Sequence, residues 1–490
     1  MKSLLGDEKR FRIYIEYEDV HNEFTLWTTK MSMDIKRVRA LSEREQKRFT
    51  AERPRSRKLV QRGRLSMPNG VPMEWMAKSP PLFPIFVKEA QGAYFTDVDG
   101  HHYLDFEVGD EATLGGHSPQ PVAEAIARCI QERDQYYLPS EDAIWVAEEL
   151  RRRFGLPFWQ FTHSATTANI EEIRLARAAT HRKKVLLFDK SYHGHLDDTL
   201  VGLQEDGTVR PTYKGLLPDA AQRTIVIQFN DLKALEAALA PRDIACILVE
   251  PAITNIGVIH PAPGFHSALR ELTRRAGTLL IIDETQTIIC GPGGLTKTWG
   301  LKPDMLTLGK SIGGGVPLGA YGMTSEISEL IKKGMKEANR NLHIPGVATR
   351  SVALGGTLFG GALAMAGARA YLEKVMTDDA YRRMNSLGKR LADGIDTVIK
   401  DANLPWHAQR LFAKSGYWFS PTPAHNGAEA AAHAVANCEL YTAIWFFLAN
   451  RGIWAPPDMV NMFKVCAAIS VQDIDFHTLV FREFVEEASS

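Results

Sequence analysis

The sequence contains no run of about 18 apolar residues, so it predicts no transmembrane helix. Its first residues carry charges where a signal peptide needs an apolar core. Lysine and arginine number 58, aspartate and glutamate also number 58, and a net charge of zero argues against a general nucleic-acid binder. The five cysteines are an odd number without a Cys-x-x-Cys pair, which argues against a disulfide scaffold and a zinc site. These absences indicate a cytoplasmic protein without nucleic-acid or membrane partners.

The 490 residues exceed what one compact core usually organises, and their composition is that of a globular protein. Short β-branched runs alternate with helical stretches through the middle of the chain. The strand-like runs are residues 185–188, 224–228, 245–249, 278–282 and 305–308, and the helical stretches are residues 170–180, 232–240 and 264–276. This alternation predicts an α/β fold with a mostly parallel sheet.

Both ends of the chain differ from this middle part. Alternating apolar and polar residues around an Asp-Gly turn predict a hairpin at 86–106, and the tail from residue 416 mixes strands and helices. We therefore expect a smaller α+β domain that the hairpin joins. The expected division is an N-terminal extension with a basic helical arm at 1–64, an N-terminal part of the small domain at 65–115, a large cofactor-binding α/β domain at 116–375, and a C-terminal small domain at 376–490.

The N-terminal extension is strongly basic near its end. Residues 34–64 include twelve basic and four acidic residues, with little apolar material around Ser42 to Glu45. A solvated arm, or a helix lying on a partner subunit, is the simpler interpretation of this pattern. An arm that binds polyanions is the alternative.

Charged side chains stand at the carboxyl ends of three predicted strands. Glu250 and Asp283 each directly follow a strand-like run, and Lys310 lies between another such run and three consecutive glycines. Ligands bind beyond the carboxyl ends of the strands in open parallel sheets. Desolvation there should lower the pKa of Lys310 and make its amine nucleophilic, whereas a lone lysine would more often be a surface residue.

A lysine and a carboxylate that meet at one sheet edge are the groups that pyridoxal 5'-phosphate (PLP) requires. The lysine forms a Schiff base with the aldehyde, and the carboxylate keeps the pyridine nitrogen protonated, so that the ring accepts electrons from the substrate. A phosphate site is also needed. The predicted helix that starts near Ala165, with Thr166 in its first turn, offers free N–H groups and a positive dipole end, although alone it would be an ordinary helix start.

Several motifs, in this order, resemble the class III aminotransferases of PLP fold type I, notably the branch of glutamate-1-semialdehyde aminomutases and β-amino-acid aminotransferases. The resemblance runs from residue 65 to residue 474 and implies a large domain with a mostly parallel sheet beside a smaller α+β domain. The motifs are the hairpin at 94–106, Gly-His-Ser-Pro at 116–119, the phosphate loop at 164–169, Tyr-His-Gly at 192–194, Glu-Pro at 250–251, Asp-Glu-Thr-Gln-Thr at 283–287, Leu-Gly-Lys-Ser-Ile-Gly-Gly-Gly at 308–315 and Gly-Thr-Leu at 356–358.

The resemblance implies roles for individual residues. Lys310 would form the Schiff base and shuttle the proton, and Asp283 would pair with the pyridine nitrogen. Gln286 would hydrogen-bond the 3-oxygen of the ring, while Tyr192 and Thr285 would lie on its two faces. The phosphate would be bound partly by a threonine of the neighbouring subunit, so the resemblance implies a homodimer. The phosphate-binding residues would be Ser164, Ala165, Thr166 and, from the neighbouring chain, Thr357.

The phosphate loop and the ring site depart from the family pattern. Ala165 stands where glycine is usual, and alanine disfavours a positive φ. Thr167 replaces the usual acidic residue, and Thr285 stands where valine is usual.

The substrate wall also departs from the family pattern. No arginine follows Gly-Val at 70–71, so the wall that includes Trp75 is largely apolar. The substrate therefore either lacks the carboxylate that such an arginine would bind or meets an arginine from elsewhere. Arg410 is the nearest candidate, with a surface arginine as the alternative.

No metal site is expected. His193 and His195 are spaced i, i+2 with no third ligand nearby, which argues against a metal pair. Cys290 is interpreted as a small buried hydrophobe rather than as a nucleophile.

Together these features favour a PLP-dependent aminotransferase that moves an amino group from an amine or amino acid to a keto acid or aldehyde. An intramolecular aminomutase of the glutamate-1-semialdehyde type, or an amino-acid epimerase, is the alternative, because both would use Lys310 and Asp283. A regulatory or structural protein that retains the fold without catalysis is a third hypothesis, which the altered phosphate loop leaves open.

Overall fold

A computed structural model of the chain describes residues 33–78, 82–133, 137–340, 352–456 and 462–489. The strands are β1 Val87–Gln91, β2 Tyr94–Asp97, β3 His102–Asp105, β4 Phe158–Thr162, β5 Lys184–Phe188, β6 Val201–Leu203, β7 Val209–Pro211, β8 Thr224–Ile227, β9 Ile244–Val249, β10 Leu279–Asp283, β11 Met305–Leu308, β12 Gly319–Met323, β13 His407–Leu411, β14 Lys414–Trp418, β15 Ile453–Trp454 and β16 Phe463–Lys464.

Helices separate most of these strands. They are α1 Ile35–Glu52, α2 Pro54–Gly63, α3 Glu74–Lys78, α4 Gln120–Glu132, α5 Glu141–Phe154, α6 Ala165–Thr180, α7 Ala220–Arg223, α8 Leu232–Leu239, α9 Phe265–Ala276, α10 Gly294–Thr298, α11 Ser325–Arg340, α12 Ala362–Ala370, α13 Asp378–Asp401, α14 Gly427–Ala436, α15 Cys438–Ala449 and α16 Val471–Ser489. None of the helices in the described ranges is long and apolar enough to cross a membrane.

The central sheet has seven strands in the order β4-β12-β11-β10-β9-β5-β8. β12 is antiparallel to both of its neighbours, and the other neighbouring pairs are parallel. The six residues of β9 are all buried, because helices cover both faces of the sheet. Ile247 belongs to the core on one face and Cys246 to the core on the other. The predicted α/β fold with a mostly parallel sheet is confirmed.

A second layer of structure combines segments from both ends of the chain. β1, β2 and β3 form an antiparallel sheet, as the Asp-Gly turn predicted, and β15 adds to β3 in parallel. A three-stranded sheet of β13, β14 and β16 packs beneath α13. The hairpin therefore joins the C-terminal part of the chain, in agreement with the expected small domain, and the exact domain boundaries stay predictions.

The basic helix α1 is not a solvated arm, which corrects that interpretation for residues 35–52, while contact with a partner subunit or a polyanion stays a prediction. One face of α1 is apolar and packs on α15 of the same chain. Phe49 is buried against Phe446, with ring centroids 5.4 Å apart. Arg53 is also buried, and its Nε donates to the Tyr103 hydroxyl at 2.8 Å. The charge count missed this face because its few apolar residues are spaced a turn apart among lysines and arginines.

Candidate active site

The carboxyl ends of the parallel strands border a cavity of about 710 Å³. Glu250, Asp283 and Lys310 all line it, as their positions at the carboxyl ends of β9, β10 and β11 predicted. The other predicted site residues on this cavity are Trp75, Ser164, Ala165, Thr166, Tyr192, Thr285 and Gln286. The sheet therefore brings together side chains that lie far apart in the sequence.

Asp283 is a buried carboxylate with several hydrogen-bond partners. Its Oδ2 lies 2.9 Å from His193 Nδ1 and accepts from Asn169 Nδ2 at 3.1 Å, while Oδ1 accepts from the Thr285 N–H at 3.0 Å. Burial alone would raise the pKa of Asp283, but the contact with His193 and the Thr285 N–H bring this pKa below its usual value. Asp283 is therefore an anion that suits a cation in the cavity.

His193 and Asn169 were missed as partners of Asp283. Both are buried, and His193 Nε2 has no hydrogen-bond partner. The available signal was that His193 directly follows Tyr192, an expected site residue. In the sequence, His193 was considered only as a possible metal ligand. Among the described residues, no group of three histidine, cysteine or acidic side chains could hold a metal ion.

Lys310 begins a short 3₁₀ turn, Lys310–Gly313, with a φ of 51°. Its Nζ donates to Asp110 Oδ2 at 2.7 Å and lies 3.8 Å from Glu111 Oε2. Burial alone would lower the pKa of Lys310, but the charges of Asp110 and Glu111 outweigh burial and raise it. The expectation of a lowered pKa is therefore wrong, because two acidic neighbours were not foreseen.

The expected phosphate loop is the start of α6. Ser164 caps this helix: its Oγ accepts from the Thr167 N–H at 3.3 Å, and Thr167 Oγ1 accepts from the Ser164 N–H at 3.2 Å. Ala165 is not among the residues with a positive φ, so its replacement of glycine causes no strain. The first N–H groups of a helix have no acceptor within the helix, so they can bind a phosphate here.

Two glycines, Gly194 and Gly309, allow their own segments to pack closely against this loop. A side chain at Gly309 would place its Cβ 2.9 Å from the Ala165 nitrogen, and one at Gly194 would overlap Thr166. Gly194 also has a φ of +96°, which favours glycine. The helix start is thus held next to Lys310 and Tyr192 by contacts that only glycine allows.

The residues expected around the cofactor ring lie on the cavity wall. Tyr192 contacts Trp75 edge to face, with ring centroids 5.6 Å apart, and burial raises the pKa of Tyr192 to about 12, so its hydroxyl is neutral. Gln286 Nε2 donates to Asn255 Oδ1 at 2.8 Å, and Gln286 Oε1 accepts from Lys414 Nζ at 2.7 Å. The second N–H of the Gln286 amide is left for a ligand.

Two expected site residues lie elsewhere. Arg410 is on β13 outside the cavity, and its guanidinium donates to the carbonyl oxygens of Phe412 at 3.0 Å and Asn385 at 3.1 Å. The expectation that Arg410 binds a substrate carboxylate is therefore wrong. Thr357, which was expected at the site of the neighbouring chain, is exposed and does not line the cavity of its own chain, and its role stays a prediction.

Residues 75–405 match the family model of the class III aminotransferases. The chain belongs to this family. A glutamate-1-semialdehyde aminomutase from Pseudomonas aeruginosa is 41% identical, with a TM-score of 0.86 over 93% of this chain and 100% of that chain. The glutamate-1-semialdehyde 2,1-aminomutase 2 of Geobacillus kaustophilus is 33% identical over 423 residues, which are 84% of this chain and 93% of that protein.

A third similar protein is an omega-transaminase from Sphaerobacter thermophilus, 26% identical with a TM-score of 0.79 over 89% of this chain and 98% of that chain. These similarities confirm PLP fold type I. A variant of the Pseudomonas enzyme is in complex with PMP, and the class III family is PLP-dependent, so the cofactor of this enzyme is PLP. The anionic Asp283, the buried His193 Nε2 and the open helix start fit that cofactor.

Proposed function

We propose that this class III enzyme moves an amino group within one substrate molecule, as an aminomutase. The observation that carries the proposal is the similarity of the chain, at 41% and 33% identity, to two proteins named glutamate-1-semialdehyde aminomutases. An aminomutase was the alternative hypothesis from the sequence, and these relatives support it better than the aminotransferase that the motifs alone favoured.

Bound PLP supplies a ring that accepts electrons from the substrate carbon that carries the nitrogen. Lys310 Nζ would hold the cofactor and, once the substrate amine has displaced it, would move a proton between this carbon and the cofactor atom that carries the nitrogen. Asp110 would stabilise the ammonium form of Lys310 while it carries this proton. Asp283 would keep the ring nitrogen protonated, with His193 and Asn169 orienting its carboxylate.

The remaining residues would bind and orient the cofactor. The N–H groups at the start of α6, with the hydroxyls of Ser164 and Thr166, would hold the phosphate. Tyr192 and Thr285 would lie on the two ring faces, and the second N–H of Gln286 would reach the 3-oxygen.

The second candidate is an aminotransferase, in which separate donor and acceptor molecules exchange the amino group. The similarity to the omega-transaminase from Sphaerobacter thermophilus supports it. Both candidates would use Lys310 and Asp283 in the same roles. They differ in whether the amino group is accepted by a carbonyl of the same substrate molecule or by a second molecule.

A single-substrate experiment separates the two candidates. The PLP-loaded protein is incubated with glutamate 1-semialdehyde alone, and in parallel with 2-aminobutanal, an amino aldehyde without a carboxylate. An aminomutase should form the isomer with the amino and oxo groups exchanged, detected by NMR, without any keto acid. Formation of product only after pyruvate or 2-oxoglutarate is added would refute the aminomutase and support the aminotransferase. Lys310→Ala is the negative control.

We also propose that the active unit is a homodimer in which Thr357 contacts the phosphate bound by the other chain. Thr357 and Leu358 are exposed on one chain, and Gly355 beside them has a φ of 98°. Thr357→Ala should weaken PLP binding by about ten- to a hundredfold, which is what one charge-assisted hydrogen bond contributes. Thr357→Ser, which keeps the hydroxyl, should bind PLP almost normally in the same fluorescence titration.

Mixed dimers give the sharper test of the shared site. When Lys310→Ala subunits exchange with Thr357→Ala subunits, one site of each mixed dimer carries both lesions and the other carries neither. Activity should therefore rise above that of either parent. No rise, with subunit exchange confirmed by mass spectrometry, would contradict the shared phosphate site.

A further inference from the structure

A cluster of buried charges surrounds Lys310. Asp110 contacts Lys310 through Oδ2, and its Oδ1 lies 3.1 Å from Lys464 Nζ. Glu111 contacts Lys414 Nζ at 2.8 Å. Lys414 and Lys464 are almost completely buried, so these lysines need the carboxylates beside them.

The segment that carries the two carboxylates has an unusual backbone conformation. Residues 108–111 all have positive φ angles: 46° for Val108, 60° for Gly109, 50° for Asp110 and 71° for Glu111. This conformation is unfavourable for residues other than glycine and persists only where the surrounding structure holds it. Such segments concentrate at functional sites, and this one turns Asp110 into the cavity.

Asp110 is the member of the cluster that a substrate would meet. It lines the cavity together with Lys310, whereas Glu111, Lys414 and Lys464 lie behind the wall. The Asp110 side chain is 44% exposed, and Lys310 is 20% exposed. Burial alone would raise the pKa of Asp110, but Lys310 and Lys464 lower it strongly, so this carboxylate is ionised.

The other carboxylates on the cavity wall are already engaged. Glu250 accepts from Asn255 at 3.0 Å and from the Thr254 N–H at 3.1 Å, and Glu74 pairs with Lys78 at 2.7 Å. Asp283 has the partners described above. Among the described residues of the wall, the only lysine is Lys310, and there is no arginine.

We infer that the substrate carries a cationic group and no carboxylate, and that Asp110 binds this cation. The inference rests on the proposed function and names its substrate class: amino aldehydes or amino ketones without a carboxylate, with diamines serving only as amino-donor probes. When Lys310 is bonded to the cofactor it has fewer N–H donors, which leaves Asp110 Oδ2 for a substrate ammonium. A substrate carboxylate would instead meet the negative charge of Asp110 without a compensating cation from the described wall.

A matched pair of amino donors tests this directly. 1,4-Diaminobutane and 4-aminobutyrate have the same chain length and differ in the charge of the far end. The PLP-loaded protein is mixed with one donor and no acceptor, and amino transfer is measured as the loss of the visible absorbance band of the protein. This transfer should be more efficient from 1,4-diaminobutane than from 4-aminobutyrate, by a factor of about ten or more. Asp110→Asn should reduce this preference by about ten- to a hundredfold, and Asp110→Glu should retain it. Asp304→Asn, the matched control at a carboxylate outside the cavity, should change it little.

Binding of unreactive probes provides a second readout. N,N-dimethylbutylamine and pentanoate lack a primary amine, so calorimetry on the PLP-loaded protein measures binding alone. The cation should bind more tightly to the wild type, and Asp110→Asn should lose that advantage. Tighter binding of pentanoate, a preference for 4-aminobutyrate in the wild type, or an unchanged preference in folded Asp110→Asn would overturn the inference. Amino transfer from 4-aminobutyrate but not from 1,4-diaminobutane would overturn it while leaving the proposed function standing.

Discussion

Lys310→Ala should abolish turnover while the protein stays folded. Proton transfer by a positioned group contributes roughly 10²- to 10⁴-fold to a rate, and loss of the covalent link to the cofactor adds to this. The fold should tolerate the change because Asp110 keeps Lys464 as an ion-pair partner at 3.1 Å. The measurements are turnover, the visible absorbance band and the thermal melting curve.

Lys302→Ala is the matched control, because Lys302 is exposed just before the other end of β11. This variant should keep both the absorbance band and the activity. If Lys310→Ala retained the band and much of the turnover, Lys310 would not be the residue that holds the cofactor.

Asp283→Asn should bind PLP but lose most of the rate, roughly 10²- to 10³-fold, because a neutral amide cannot balance a positive ring nitrogen. The amide is close in shape to the carboxylate, but it has one accepting oxygen instead of two, so it keeps only one of the contacts with Asn169 Nδ2 and the Thr285 N–H. Single-turnover rates and a PLP titration separate the loss of rate from any loss of binding.

Asp304→Asn is the control at the opposite end of the same strands. Asp304 pairs with Arg270 at 2.8 Å and accepts from the Leu280 N–H, far from the cavity. Its replacement should lower the melting temperature and leave the single-turnover rate unchanged. Near-normal rates in Asp283→Asn would instead assign a purely structural role to Asp283.

The sheet and its edge could be predicted because the signals are local. Each buried strand is a continuous apolar run, and each chemically important side chain directly follows one, so chain order alone places Glu250, Asp283 and Lys310 at one edge. The covering helices likewise followed from apolar spacing within single segments.

The charge environment of Lys310 could not be predicted in the same way. Asp110 lies 200 residues before Lys310, on a loop whose non-glycine residues adopt positive φ angles that their types do not suggest. Lys414 reaches Gln286 across 128 residues from a strand of the small domain. Arg410, the expected substrate residue, lies on the neighbouring strand β13 and contacts only backbone carbonyl oxygens there, a placement that its position in the sequence does not show.

The packing of α1 on α15 also determines when this part of the molecule can fold. Arg39 on α1 pairs with Glu439 on α15, 400 residues later, and β3 pairs with β15 near the end of the chain. During synthesis the apolar face of α1 and the outer edge of β3 therefore stay unpaired until their partners, α15 and β15, have left the ribosome. Such distant pairings slow folding and prolong exposure of apolar surface. The apolar face of α1 is therefore exposed before the strands that position Glu250, Asp283 and Lys310 have been synthesised.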